Sequence, residues 1–125
     1  MSKIFLFIGS ILAALSVAGG AFASHALKNK LSDRYLEIFE TGTRYQMYHA
    51  LGLVLIALLL TRVEMAPVTM ISAGYAFIIG VLIFSGSLYA LSLTGIKWLG
   101  AITPIGGVAF IIGWLSLAIA AWRIN

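Results

Sequence analysis

Residues 4–27 read IFLFIGSILAALSVAGGAFASHAL, an unbroken run without Asp, Glu, Lys or Arg. A helix that crosses a bilayer needs about 20 apolar residues, so this stretch is one complete span. Three further uncharged stretches follow it: Tyr45 to Thr61, Met65 to Ile96, and Trp98 to Trp122. The second is short for a span, with Arg44 and Arg62 placed to snorkel to the interface at its ends. The third is too long for one span and too short for two. Pro67 sets a helix start at Pro67 or Val68, and Gly95 marks its end. Four spans are therefore expected, at about 4–27, 45–61, 68–94 and 98–122, in one membrane domain covering 1–125.

Composition leads to the same solvent. Of the 125 residues, 62% are hydrophobic and 10% charged, and the mean hydropathy is +1.06. Soluble domains carry roughly 45–50% apolar and about 25% charged residues, and so short a chain has too little interior to hide the surplus. A soluble enzyme and a disordered segment are excluded. The net charge of +4 rests on 8 basic and 4 acidic residues with no polybasic run, so it reads as membrane-flanking charge and no nucleic-acid partner is expected. The absence of cysteine removes disulfides, thiolate metal sites and cysteine nucleophiles. A signal-peptide reading of the first span has Lys3 as its basic region and Ala21-Phe22-Ala23 before Ser24 as its cleavage shape. The apolar run exceeds a usual signal core, so the segment is expected to remain as a span.

The connections at Arg62–Ala66 and Thr94–Lys97 are short enough to make their flanking helices antiparallel neighbours. Between Lys28 and Arg44, Leu31, Tyr35, Ile38 and Phe39 share one helical face, and Asp33, Glu37 and Glu40 the other. With Ser32 or Asp33 as its cap, a short amphipathic interfacial helix is expected at about 32–41, lying on the membrane between spans 1 and 2. The fold class is thus all-α, an antiparallel four-helix membrane bundle. The face carrying the first and third connections holds Lys28, Lys30, Arg34, Arg44 and Lys97, and the other Lys3, Arg62 and Arg123. That balance favours termini outside, although so small a bias is compatible with dual topology.

Small residues recur at heptad spacing in three spans: Gly9, Ala13, Ser16, Gly20 and Ala23; Ala73, Ala76, Gly80, Ser87, Ala90 and Thr94; and Gly106, Ala109, Gly113, Ser116 and Ala120. In lipid no hydrophobic force presses helices together, so close approach and dispersion contacts must do it. These seams are read as packing, with crossings of about 20°, rather than as the lining of a pore. One seam is left for a partner or a second copy.

An up-down-up-down path gathers four polar stretches at one membrane face. They are Gly20–His25, Thr41–His49, Ser85–Tyr89 and Thr103–Gly107. The candidate ligand or interaction face is therefore His25, Arg44, Gln46, His49, Tyr89, Thr103 and Pro104. Each has a plainer role beside it. The histidines can be hydrated or bonded to a nearby backbone carbonyl, and Arg44 can pair with Glu40. Tyr45, Tyr48, Trp98 and Trp122 can form an interfacial aromatic belt. Pro104 with Gly106-Gly107 is either a break whose carbonyls face an ion or a tolerated kink or late helix start.

Those same stretches carry a resemblance that covers essentially the whole chain. Gly19-Gly20-Ala21-Phe22-Ala23-Ser24-His25-Ala26-Leu27, Arg44-Tyr45-Gln46-Met47-Tyr48-His49-Ala50-Leu51, Gly86-Ser87-Leu88-Tyr89-Ala90-Leu91 and Ile102-Thr103-Pro104-Ile105-Gly106-Gly107 stand in the order of the YgdD/YwdK-like family. This is a family of small four-helix membrane proteins of unknown function, similar to a eukaryotic transmembrane protein. A glycine often precedes the first histidine stretch in that family, where Ala23-Ser24 stand here. The resemblance implies a bacterial inner (plasma) membrane protein and transfers no catalytic residue.

Three functions compete. The first is a non-enzymatic accessory or interaction protein, surrounded by membrane lipid, that packs as a homo-oligomer or within a larger membrane complex. The second is a small ion channel or transporter. Drug–proton antiport needs a carboxylate in the first span, and no span contains one; an anion path through Arg44, Lys97 and the histidines fares better. The third is a haem electron carrier with His25 and His49 as axial ligands, which requires both to face inward at one depth. Hydrolysis has the weakest case, because Ser24 and His25 diverge on a helix and no carboxylate orients the imidazole. Two histidines are too few for a catalytic metal. No enzyme, no metal and no cofactor are expected.

Overall fold

A computed structural model describes residues 1–124. It contains four helices long and apolar enough to cross a membrane: α1 (Ser2–Leu27), α2 (Asp33–Leu60), α3 (Val68–Thr94) and α4 (Lys97–Trp122). They form an all-α antiparallel bundle. α1 packs chiefly on α2 and α4 chiefly on α3, while α2 and α3 pack on each other. The inner pair is accordingly the more buried, and α1 and α4 turn most of their surface outward. Ile4, Phe7, Leu15 and Val17 are exposed on α1, and Val108, Ile111, Leu115 and Ile119 on α4. Lipid, not water, is the solvent that such faces require.

Local chemistry explains the helix ends. Ser32 caps α2, its Oγ accepting from the Tyr35 amide at 3.2 Å. Pro67 precedes α3 with an extended backbone. Gly95 ends α3 in the left-handed region at φ 72°, its amide donating to the Leu91 carbonyl at 2.8 Å; glycine adopts that conformation without a Cβ penalty. Two helices carry a single π-helical turn, Ala23–Leu27 in α1 and Val81–Ser85 in α3. α4 opens with a 3₁₀ turn, Lys97–Ala101, before its α-helical part, Thr103–Trp122. Pro104 stands in the first turn of that part, where its missing amide breaks no ladder bond.

One expectation is corrected. The amphipathic segment 32–41 is helical and starts at Ser32, but it does not lie on the surface as a separate interfacial helix. It is the first part of α2, which runs without a break from Asp33 to Leu60. Nothing between Glu40 and Tyr45 interrupts the backbone ladder: Gly42 is the weakest helix former there, and one glycine costs only about 1 kcal/mol. Part of the apolar face of the segment is covered by protein: Phe39 packs with Ala23 and Leu27 of α1, joined by Leu31, Leu36 and Tyr89, while Tyr35 and Ile38 stay half-buried. At 28 residues, α2 is about 42 Å long, against roughly 30 Å of hydrocarbon. Its amphipathic first turns therefore extend the bundle past the acyl region.

The main core joins Phe5 of α1, Leu53, Ile56 and Ala57 of α2, Met70, Ala73, Phe77 and Val81 of α3, and Phe110 and Ala120 of α4. Its three phenylalanine rings are each seated on a glycine of a facing helix. Phe5 rests on Gly74, Phe77 on both Gly52 and Gly113, and Phe110 on Gly80; outside this core, beside Phe39, Tyr89 rests on Gly42 in the same way. Direct backbone approach occurs at Gly9, where an added Cβ would lie 2.9 Å from the Ala50 carbonyl oxygen, and at Gly106 against the Phe84 backbone. At Gly20 nothing lies within 4 Å; its neighbour Gly19 faces α2 instead, against Thr43. Ala13 is half-buried.

Candidate functional site

Gln46 occupies the middle of a three-helix tie. From α2 its Nε2 donates to the Leu12 carbonyl of α1 at 2.8 Å, and its Oε1 accepts from the Tyr89 hydroxyl of α3 at 2.6 Å. The side chain is buried, so each polar end meets a partner of the right kind. Ser16, one turn beyond Leu12, is also buried, and its Oγ has no partner among the described residues. Interhelical hydrogen bonds in membrane proteins contribute about 0.6 kcal/mol on average and up to about 1.7. Gln46→Leu and Tyr89→Phe are each expected to destabilise the bundle by about 1 kcal/mol. A double-mutant cycle on thermal unfolding should return a positive coupling between them, and strict additivity would show that the bond contributes nothing.

His49, one turn further along α2, is held as firmly. Its Nδ1 lies 2.7 Å from the Tyr45 carbonyl oxygen, and its Nε2 lies 3.0 Å from Trp114 Nε1 of α4. A carbonyl only accepts and an indole N–H only donates. The imidazole is therefore the neutral tautomer with the proton on Nδ1. Its ring stacks on Phe110 at 3.5 Å between centroids and 7° between planes, and Phe77 meets it edge-on at 5.1 Å. With 4% of its surface exposed, His49 has both nitrogens bonded.

A third pair of bonds closes the layer. Ser85, in the π-helical turn of α3, donates from Oγ to the Gly42 carbonyl at 2.8 Å. Ser87 of α3 shares a hydroxyl–hydroxyl bond with Thr103 of α4 at 2.5 Å. The outer side of this layer is an apolar groove of about 680 Å³, in which Tyr45, Tyr48, His49, Phe84, Pro104 and Trp114 take part.

The structure thus brings five of the seven candidate residues into or beside one polar layer: Gln46, His49, Tyr89, Thr103 and Pro104. His25 and Arg44 are exposed and stand apart from it. The paired-histidine arrangement is not assembled, because His25 faces outward while His49 Nε2 is bonded to Trp114. Among the described residues, no group of three or more His, Asp or Glu side chains converges as a metal site would require. Gly42, Ser85 and Ser87 lie in the polar stretches but not among the seven candidates, and Trp114 lies outside those stretches. The only signal for Trp114 was its spacing of four from Phe110, which places both on one face of α4.

Comparisons with known proteins are consistent across the chain. The family described as "Protein of unknown function (DUF423)" matches residues 19–107, the segment that contains nearly all of this layer. The UPF0382 membrane protein YwdK of Bacillus subtilis is 49% identical over 120 residues, spanning 95% of this chain and 96% of its own. A UPF0382 membrane protein of Staphylococcus epidermidis is 50% identical over 121 residues, 97% of each chain. One from Staphylococcus aureus is 47% identical over the same share. No solved structure matches.

Proposed function

Because the chain belongs to the DUF423/UPF0382 family of small bacterial membrane proteins, a family whose description assigns no activity, we propose its role from geometry: a non-enzymatic accessory or interaction protein. It is an integral protein of the bacterial inner membrane, built of four spans, and it works through its outer surface, packed as an oligomer or against a larger membrane complex. The observation that carries this reading is the internal use of its polar groups. Gln46, His49, Ser85, Ser87, Thr103 and Tyr89 bond across helices to one another, to Trp114 or to backbone. Catalysis or transport needs such groups free to meet a substrate, whereas here they hold the helices in register. The outward apolar faces of α1 and α4 are left for lipid and partners.

Native mass spectrometry of the protein extracted in mild detergent tests this reading. A homo-oligomer or a complex with another membrane protein is the expected result, with His49→Ala weakening assembly or stability without loss of any bound mass. A bare monomer that carries a stoichiometric haem-sized mass, lost in His25→Ala or His49→Ala, would overturn it. In liposomes the protein is expected to leave anion and proton gradients unchanged. A flux that rises with protein dose and is abolished by Arg44→Gln would favour the channel reading instead.

A further inference from the structure

We propose that the groove enclosed by the first turns of α2 and α4 and the last turn of α3 binds one anionic phospholipid of the surrounding leaflet. Arg34 and Lys97 would hold its phosphate, and an acyl chain would lie along Ile38 and Leu91. The groove has a volume of about 510 Å³ and is lined by Arg34, Tyr35, Ile38, Leu91, Lys97 and Gly100. Its two cations come from different helices, and among the described residues no carboxylate lines it. Asp33 and Glu37 lie on α2 outside the lining, and Lys28 and Lys30 add positive charge on the same membrane face. Two cations at the rim of an apolar slot complement a lipid, which has one anionic group joined to a hydrocarbon chain.

Depth and local fields agree with that occupant. Trp98, next to Lys97, is 66% exposed, as tryptophans are at the headgroup level. Both α2 and α4 begin here, so the positive ends of their dipoles add to the side-chain charge. Arg34 offers a planar fork that matches phosphate oxygens, and Lys97 adds a point charge. Below them Leu91 is buried and Ile38 half-buried, giving the chain an apolar wall. There is free space beside Gly100: a Cβ there would meet only Leu91, at an ordinary 3.6 Å, so a longer side chain would project into the slot. The site is formed by one chain, so it stands or falls independently of any oligomer.

The test is native mass spectrometry of the full chain in micelles doped with equal amounts of palmitoyl-oleoyl phosphatidylglycerol and phosphatidylcholine. One phosphatidylglycerol is expected to be retained in preference. Arg34→Gln or Lys97→Gln should weaken retention about fivefold each and the pair about thirtyfold, the size expected for one surface cation apiece. Lys97→Arg should retain the lipid. Gly100→Leu leaves the charge unchanged and fills the slot, so it should abolish retention while a control pair on the opposite face, Arg62→Gln with Arg123→Gln, does not. Equal retention of both lipids, unchanged binding in Gly100→Leu, or displacement by millimolar inorganic phosphate alone would overturn the proposal.

Discussion

Gly106→Ala is expected to destabilise the bundle by about 3 kcal/mol, the upper part of the range for overpacked sites. A Cβ at Gly106 would lie 2.7 Å from Phe84 Cβ and 2.8 Å from Phe84 Cα, and closer still to the Phe84 amide nitrogen. Two of those three atoms are backbone, which cannot turn aside as a side chain can. α3 and α4 would have to separate, lifting Thr103 away from Ser87 and Phe110 away from Gly80. The neighbouring position supplies the control. At Gly107 the nearest atom is a Phe84 ring carbon at 3.9 Å, so Gly107→Ala should be neutral or stabilising by up to about 1 kcal/mol through helix propensity. Thermal unfolding of the two variants in one detergent measures the difference. If they unfold together, the close crossing of α3 and α4 is not what holds these helices.

Phe77→Ala should cost nearly as much for the opposite reason, because it empties a site. Phe77 is fully buried and its ring rests on Gly52 of α2 and Gly113 of α4. It also meets His49 and Trp114 at 5.1 and 4.6 Å between centroids. In a soluble core Phe→Ala costs about 3–5 kcal/mol, a sum of lost transfer energy and an unfilled cavity. Separated helices in a membrane still lie in hydrocarbon, so most of the transfer part is absent and the lost packing remains. The lower end, about 3 kcal/mol, is therefore expected. Unfolding in detergent checks it, and Phe77→Leu should recover more than half of the loss. A cost below about 1 kcal/mol would mean that the two glycine notches close around the smaller side chain.

Much of the architecture was legible from local chemistry. Charged residues at Lys3, Lys28, Arg44, Arg62, Lys97 and Arg123 bracket the uncharged runs, because each charge is costly inside the bilayer. Ser32, Pro67 and Gly95 mark helix ends through their own donors, acceptors and backbone preferences, which need no tertiary partner. The boundary between the amphipathic segment and the second span was not legible. A change from amphipathic to apolar pattern reports a change of surroundings, and a continuous helix crosses such a change without breaking its ladder. Of the candidate site, Gln46, His49 and Tyr89 stood out as polar groups within apolar runs. Trp114 and Gly42 did not, since a tryptophan in a lipid span and a glycine in a membrane helix are both ordinary.

By itself, then, the sequence determined an all-α protein of four antiparallel spans. Those properties follow from hydropathy and chain direction, which are sums over neighbouring residues. Only the tertiary structure decided that Phe77 seats on Gly52 and Gly113, that Tyr89 rests on Gly42 and bonds Gln46, and that Trp114 reaches His49. Such pairings depend on the rotation of each helix about its axis and its shift along a neighbour. Along an apolar helix these are set by packing and a few hydrogen bonds between distant residues, and no local pattern encodes them.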